Sequence, residues 1–274
     1  MLNVRRADLH THTYYSDGHL SPAELVTEAQ RCGLSAIAIT DHDCVDGLAE
    51  GQRVGAQRGI EVVAGVELSV TAGARRIHLL GYFFDPKYAP LLEHLDAFME
   101  ARRARAVQIL ERLDDLHVSV VLDFDAHTAV ARPHIAEALV EAGYVASIGE
   151  AFMRYLGRGK PAYVASPPFP ASKALSLLHE AGGIGVLAHP GNYMASDTIR
   201  ALVQAGLDGL ETVHPSHDDV LTTYYRQLVR NLGLIETGGS DFHRPGDGES
   251  LGQRSIPYAW LTRARARRQF IASE

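Results

Sequence analysis

Short apolar runs alternate with amphipathic stretches over most of the chain. Residues 35–40, 59–67, 184–188, 207–212 and 234–237 are apolar enough to predict buried strands of a largely parallel sheet. Val4 starts a further strand that carries Leu9, and a strand over 76–84 follows a predicted hairpin at Ala72-Gly73. Helices fill the intervals. Ser21-Pro22-Ala23-Glu24 is a start signal, with Ser at N-cap, Pro at N1 and an acid at N3, and Gly33 closes that helix after Cys32. Other helices are predicted on Val45, Leu48 and Ala49, over 173–181 and over 218–231.

The rhythm stops after Asp85. Leu91, Leu95, Phe98, Ile109, Leu113 and Leu116 recur mostly at three- and four-residue spacing, which predicts a long amphipathic helix with Arg102, Arg103 and Arg105 on its solvated face. Arg132-Pro133-His134 opens another helix to about residue 142, a further one is predicted over 147–157, and a Gly/Pro-rich loop covers 157–170. Residues 86–165 are therefore expected to be a helical insertion capping the site of a single domain that spans 1–274. About seven strands, mostly separated by helices, predict an α/β fold of the β/α-barrel type with its site at the strand exits; a doubly wound open sheet is the alternative. The tail from Leu261, with Arg263, Arg265, Arg267 and Arg268, is expected to be a basic helix outside the barrel, packed or solvated, with RNA binding as its other reading.

Composition narrows the class. A chain with 46% hydrophobic and 22% charged residues reads as globular with a sizeable core. A net charge of -7 argues against a generally basic nucleic-acid surface, though not against a local basic pocket. Cys32 and Cys44 are the only cysteines, which leaves no disulfide framework and no four-thiolate zinc site. No apolar run approaches ~18 residues and no signal-like segment opens the chain. The expectation is a cytoplasmic protein with no membrane association and no obligate protein partner.

The 14 histidines carry most of the chemical information. His10 and His12 stand at i and i+2 on a predicted strand, so both imidazoles reach one side, and Asp17 offers a carboxylate from the following loop. His42, Glu67, His78, His134, Asp241 and His243 recur near strand ends or at loop and helix openings. A thiol-free set of imidazoles and carboxylates suits Mn, Zn or Fe and disfavours an all-oxygen calcium site. It is too large for one ion. Two or three divalent ions sharing a bridging carboxylate are expected, with Mn2+ the leading candidate and Zn2+ or Fe2+ the alternatives. Gly183-Ile184-Gly185-Val186-Leu187-Ala188 matches a dinucleotide fingerprint but leads into a strand instead of opening a helix, so its context fails.

Asp8-Leu9-His10-Thr11-His12, Thr40-Asp41-His42, Gly65-Val66-Glu67, His78, His134 and Ser240-Asp241-Phe242-His243 together resemble, in order, the motifs of the polymerase-and-histidinol-phosphatase (PHP) family. The resemblance implies a distorted (β/α)7 barrel. It also implies that His10, His12, Glu67 and Asp241 hold one metal, that Glu67 bridges to a second held by His78 and His134, and that Asp17, His42 and His243 hold a third. Arg132-Pro133-His134, Gly159-Lys160-Pro161-Ala162-Tyr163-Val164 and the segment from Gly182 to Pro190 are similar to the subgroup acting on nucleoside 3',5'-bisphosphates, some members of which trim RNA 5' ends. The expected reaction is hydrolysis of the 3'-phosphate to leave the 5'-monophosphate, by attack of a metal-activated hydroxide on phosphorus. Asp17, His189 and Arg132 are the candidate catalytic residues. Arg132, Lys160, His189, Asn192 and His214 are the candidate substrate contacts, Tyr193 accompanies Asn192, and His217 is expected at the surface. The partner is a small phosphorylated nucleotide or a short oligonucleotide. A 5'-3' exonuclease using the same site, a histidinol-phosphate phosphatase, a C–N hydrolase and a metal-stabilised scaffold are the competing readings.

Overall fold

Among the described residues, eight strands carry the fold: β1 (Arg6–Thr11), β2 (Ala36–Ile39), β3 (Glu61–Ala72), β4 (Arg75–Tyr82), β5 (Ile184–Leu187), β6 (Gly209–Val213), β7 (Ile235–Gly238) and β8 (Ile256–Pro257). The computed structural model describes residues 5–124, 130–192, 194–246 and 250–271, so Val4 and Tyr193 lie outside the described residues. The strands form one sheet in the order β7-β6-β5-β4-β3-β2-β1-β8. β4 runs antiparallel to both β3 and β5, β8 runs antiparallel to β1, and the remaining pairs are parallel. The hairpin at Ala72-Gly73 produces the reversal, with Gly73 at φ 60 in the turn.

The sheet nearly closes on itself. Past β7, Phe242 pairs with Thr11, and the His12 amide donates to the Phe242 carbonyl at 2.9 Å. Two residues make this approach feasible. A Cβ on Gly239 would stand 2.4 Å from His10 N and 2.8 Å from Asp8 Oδ1, closer than atoms pack. Asp8, fully buried, accepts hydrogen bonds from the amides of Ser240 and Gly252, both at 2.9 Å. A carboxylate that cannot reach water thus ties β1 to the two segments that seal the barrel.

Helices α1 (Pro22–Arg31), α2 (Leu48–Arg58), α6 (Ala171–Glu180), α7 (Ser196–Gln204) and α8 (Asp219–Leu232) pack Leu25, Leu48, Leu175, Ile199 and Tyr225 into one cluster with Ile37, Ile39 and Leu68 of the sheet. α1 starts on the expected capping box, Ser21 Oγ accepting from the Glu24 amide and Glu24 Oε2 from the Ser21 amide. The opposite face, with Ala36, Ala38, Leu80 and Val186, forms the barrel interior, and α9 (Tyr258–Ile271) packs Trp260, Leu261 and Ala264 onto it. Three of the four arginines of α9 are fastened near the starts of strands. Arg265 pairs with Glu61, Arg267 Nε with Asp208 at 3.1 Å, and Arg268 Nε donates to the Gly182 carbonyl at 2.8 Å. The basic tail is therefore a packed plug, not a solvated arm.

Between β4 and β5 stand α3 (Ala89–Asp115), α4 (Arg132–Glu141), α5 (Ile148–Ala151) and a π-helical turn, Phe152–Leu156. α3 belongs to two cores. Leu91, Leu95 and Phe98 join the outer barrel cluster, whereas Ala106, Ile109 and Leu113 pack with Ile135, Leu139, Leu156 and Ala162. No helix among the described residues is long and apolar enough to cross a membrane.

Gly239→Ala is expected to lower stability by about 1–3 kcal/mol, because backbone, not a flexible side chain, must yield to the new methyl. Urea denaturation checks this; an unchanged midpoint would mean that β7 does not press on β1 as described.

Candidate functional site

The ligand-type residues gather where β1, β2 and β7 end. β1 runs into His12, β2 into Asp41 and His42, and β7 through Ser240 to Asp241 and His243. The β1–β2 register shifts between Asp8 and Thr11, an irregularity of the kind that re-aims side chains beside active sites. His10 Nε2 and His12 Nε2 each come to lie 3.2 Å from Glu67 Oε2 and 3.2 Å from Asp241 Oδ1. His42 Nδ1 is also 3.2 Å from Glu67 Oε2, while His78 Nδ1 and His189 Nε2 stand 2.8 and 2.9 Å from Oε1. Glu67 is thus surrounded by imidazoles. Asp17 lies to one side, its Oδ1 3.3 Å from His243 Nε2.

Neighbours set the tautomers that matter. His243 donates from Nδ1 to the Asp241 carbonyl at 2.8 Å, which turns its Nε2 toward Asp17. His10 donates from Nδ1 to Glu211 at 3.1 Å and presents Nε2 to Glu67 and Asp241. Asp41, buried, accepts from Thr13 N and Ser16 Oγ, both at 2.7 Å, and so holds the loop between His12 and Asp17.

The electrostatics call for a cation. Burial opposes ionisation of Glu67, yet His42, His78 and His10 hold its carboxyl well below the usual range. Burial likewise opposes the His12 cation, but Asp241, Glu67 and Asp17 push that imidazole up to about 10. His42 goes the other way, driven by burial down to about 4 despite Glu67 and Asp17. His12 Nε2, Asp17 Oδ1 and His42 Nδ1 are buried and lack a hydrogen bond of acceptable geometry. Orphaned atoms of this kind, in a set of imidazole and carboxylate donors, fit divalent transition-metal ions.

Among the described residues, four overlapping groups have ligand atoms within 4.8 Å of one another: His10, His12, Glu67 and Asp241; His12, Asp17, His42 and His243; His42, Glu67 and His78; and His10, Glu211 and His214. The first is the set the family resemblance implies for one metal, and the second contains the set implied for another. His134 is not in any of them. It is buried at the start of α4, where its Nδ1 accepts the Ala131 amide at 3.1 Å. His189 stands beside Glu67 and His78 instead, at a left-handed φ of 23 and with its amide donating to Glu211 at 2.8 Å. His214 Nε2 is 3.3 Å from Asp241 Oδ2. Glu211 was missed among the candidates, although an acid inside an apolar strand, in Gly-Leu-Glu-Thr-Val, is itself a signal of an inward ionisable group.

A cavity of ≈ 170 Å³ lies between this cluster and the segment between β4 and β5, and Asp17, His42 and His78 line it together with Arg76, Arg102, Arg105 and Arg132. Two expectations are corrected here. Arg102 and Arg105 are not on a solvated face: Arg102 is held by Asp43 and by Ser69 Oγ at 2.9 Å, and Arg105 Nε donates to the Val164 carbonyl at 2.8 Å. Helical spacing identified the apolar stripe of α3 but not what its other face turns toward. Arg103 alone is exposed. His217 is not at the surface either. It is 1% exposed, donating from Nδ1 to the Thr212 carbonyl and accepting the Gly191 amide on Nε2, both at 3.1 Å. Lys160 and Asn192 are exposed, and Lys160 does not line the cavity, whereas Arg132 does. Burial, with Arg132, Arg76 and Arg102 close by, pushes Arg105 down to about 9. Arg132 is lowered as well, by burial first and then by Arg76. Cations crowded in this way are discharged by an anion.

Comparison with known proteins follows the same lines. A family profile described as the PHP domain matches residues 8–159. A 3',5'-nucleoside bisphosphate phosphatase from Chromobacterium violaceum is 36% identical over 252 residues, 88% of each chain. A 5'-3' exoribonuclease from Haemophilus influenzae is 34% identical over 250 residues, 88% of this chain and 91% of that one. A crystal structure from Bifidobacterium adolescentis, assigned as a metal-dependent phosphoesterase, superposes with a TM-score of 0.86 at 27% identity, covering 95% of this chain and 96% of the other.

Glu211 faces His10 from the side away from Glu67 and Asp241, so it orients that imidazole. Glu211→Gln should weaken metal binding about 10- to 100-fold with the fold retained. Metal titration followed by calorimetry reads this, and wild-type affinity in the variant would remove Glu211 from the orienting role.

Proposed function

The chain belongs to the PHP family of metal-dependent phosphoesterases, and from that premise we propose that it removes the 3'-phosphate of nucleoside 3',5'-bisphosphates, leaving the 5'-monophosphate. The observation that carries the reading is the cavity lined both by Asp17, His42 and His78 and by Arg76, Arg102, Arg105 and Arg132. The carboxylate and imidazoles suit cations, and the guanidiniums suit anions. A substrate with two phosphates has a use for both, whereas histidinol phosphate has a single phosphate and leaves the arginines with less to hold.

His10, His12, Glu67 and Asp241 would hold one ion, Asp17, His42 and His243 another, and His78 with Glu67 a third; Mn2+ is the proposed occupant. Bound divalent ions supply Lewis acidity toward phosphoryl oxygens and lower the pKa of water. The chain's own residues do the rest. Arg105 and Arg132 grip the phosphate that is not cleaved, and Arg132 adds the bidentate geometry of its guanidinium. Arg102, tethered by Asp43, keeps its charge fixed over the cavity and costs little reorganisation during the reaction. His189, 2.9 Å from Glu67 and partly exposed, is positioned to pass a proton to the departing 3'-oxygen. α3 and α4, carrying these arginines, cap the site and exclude water from it. The second reading, exonucleolytic release of nucleotides from a 5' end, uses the same centre and is favoured by the similar identity of the Haemophilus influenzae relative.

Phosphate release by manganese-loaded protein tests the first reading against its rivals. Adenosine 3',5'-bisphosphate should be hydrolysed to the 5'-monophosphate and no further, histidinol phosphate should be poor, and chelation should abolish turnover. Arg105→Ala should lower kcat/KM on the bisphosphate about 100-fold. Preference for histidinol phosphate, or a variant as active as wild type, would overturn the assignment.

A further inference from the structure

The loop that follows β5 carries His189 in a conformation that its sequence does not favour. His189 has a φ of 23, and the next residue is Pro190. A residue with a Cβ rarely adopts a left-handed φ, and a following proline narrows its choices further. Such a backbone persists only where its surroundings hold it, and residues held in this way gather at functional sites. On the N-terminal side the restraint is direct. The His189 amide donates to Glu211 Oε2 at 2.8 Å, and the Ala188 amide donates to the His78 carbonyl at 3.1 Å.

The C-terminal side is held by the connection after β6 and by α8. Gly191, at a left-handed φ of 58, gives both of its backbone polar groups to them. Its amide donates to His217 Nε2 at 3.1 Å, and its carbonyl accepts from the Tyr225 hydroxyl. His217 is itself fixed, donating from Nδ1 to the Thr212 carbonyl at 3.1 Å, while its own amide donates to the His214 carbonyl at 3.0 Å. These bonds settle its tautomer, with the proton on Nδ1 and the acceptor at Nε2. The Tyr225 ring lies 5.1 Å from that imidazole, and both residues are 1% exposed. Neither belongs to the ligand groups found among the described residues, and neither lines the cavity of the arginines. Apolar side chains would fill the same space at a smaller desolvation cost. What the imidazole and the phenol add is direction, because together they fix both polar groups of one residue two positions from His189.

We propose that His217 and Tyr225 are positioning residues that clamp Gly191 and so keep His189 in its left-handed conformation, with Nε2 2.9 Å from Glu67 Oε1. The proposal rests on the reading of His189 as the donor of a proton to the departing 3'-oxygen. A proton donor contributes only while it is aimed at the atom it serves, so a relaxed loop withdraws catalysis without emptying the site. His214 and His217 sit on one turn, so the loop that places an imidazole beside Asp241 also sets the position of His189.

The test uses full-length, manganese-loaded protein and two esters that differ in their need for a proton. The 3'-oxygen of adenosine 3',5'-bisphosphate must be protonated as it leaves, whereas the nitrophenolate of p-nitrophenyl phosphate leaves unaided. Tyr225→Phe and His217→Ala should each lower kcat on the bisphosphate about 10-fold or more, part of the roughly 10²- to 10⁴-fold that a proton donor supplies, with KM little changed. The loss on p-nitrophenyl phosphate should stay within about 2-fold, a split that general loosening of the fold does not give. His217→Gln, which keeps a donor and an acceptor, should restore most of kcat. Crystal structures of the first two variants should show His189 at a negative φ with Nε2 withdrawn from Glu67. A His189 backbone unmoved in both variants, or full turnover with it moved, would overturn the clamp. If His189→Ala loses the same factor on both esters, the proton-donor reading falls, and if the wild type releases no phosphate from the bisphosphate, the proposed reaction falls. In either case the crystal structures still decide whether the clamp holds His189. Thermal unfolding at the wild-type temperature excludes misfolding as the cause.

Discussion

A carboxylate buried among imidazoles, with its charge to be balanced, is the constraint on which the structure depends. Glu67 is 1% exposed and has His10, His12, His42, His78 and His189 around its two oxygens. Asp241 and Glu211 lie against the same imidazoles from other directions. Burying such acids is costly unless positive charge accompanies them. Protonated histidines can provide it, as the raised His12 shows, but a protonated imidazole cannot be a ligand. Divalent ions resolve the conflict, because they neutralise the acids and leave the imidazoles free to donate their lone pairs.

The barrel brings these groups together from remote parts of the chain. His10 and Asp241 are far apart in sequence and meet because β7 runs beside β1. That contact requires Gly239, which has no room for a side chain, and Asp8, whose oxygens bind the amides of Ser240 and Gly252. At the other end α9 seals the interior with Trp260 and Leu261 and anchors Arg265, Arg267 and Arg268 on Glu61, Asp208 and the Gly182 carbonyl. Apolar packing and hydrogen bonds hold the closed end and the seam. The open end is left to charge.

Much of this was legible in the sequence, for stated reasons. The parallel strands read as short apolar runs because both of their faces are covered, and His10-Thr11-His12 read as a metal motif because a strand presents alternate residues together. β8 was not legible, since a two-residue strand has no period to detect, and α7 was passed over although Ile199, Leu202 and Val203 stand at helical spacing. The side chains of α3 were misjudged for a deeper reason. Periodicity distinguishes the face of a helix that meets the core, but a polar face turned toward solvent and one turned toward an active site have the same composition. Arg102 and Arg105 look like solubilising charges until Asp43, Ser69 and Val164 are found against them. His217 shows the converse, a polar residue in a loop that is buried because Thr212 and Gly191 satisfy both of its nitrogens.

Charge is divided across the cavity, and the division constrains what can bind. Acids and imidazoles come from the barrel, and arginines come chiefly from α3 and α4, with Arg76 on β4 at the junction. The two halves neutralise one another only in part. Asp43 bridges to Arg102 of α3, while Arg105 is lowered by burial and by the cations beside it. A ligand that completes the site must therefore carry negative charge at the arginines and coordinate cations at the carboxylates, over a distance set by one small cavity. Phosphoryl oxygens do both, since they ligate hard divalent ions and accept from guanidinium forks. The separation of charge between barrel and helices thus selects phosphate before any contact to base or sugar is made.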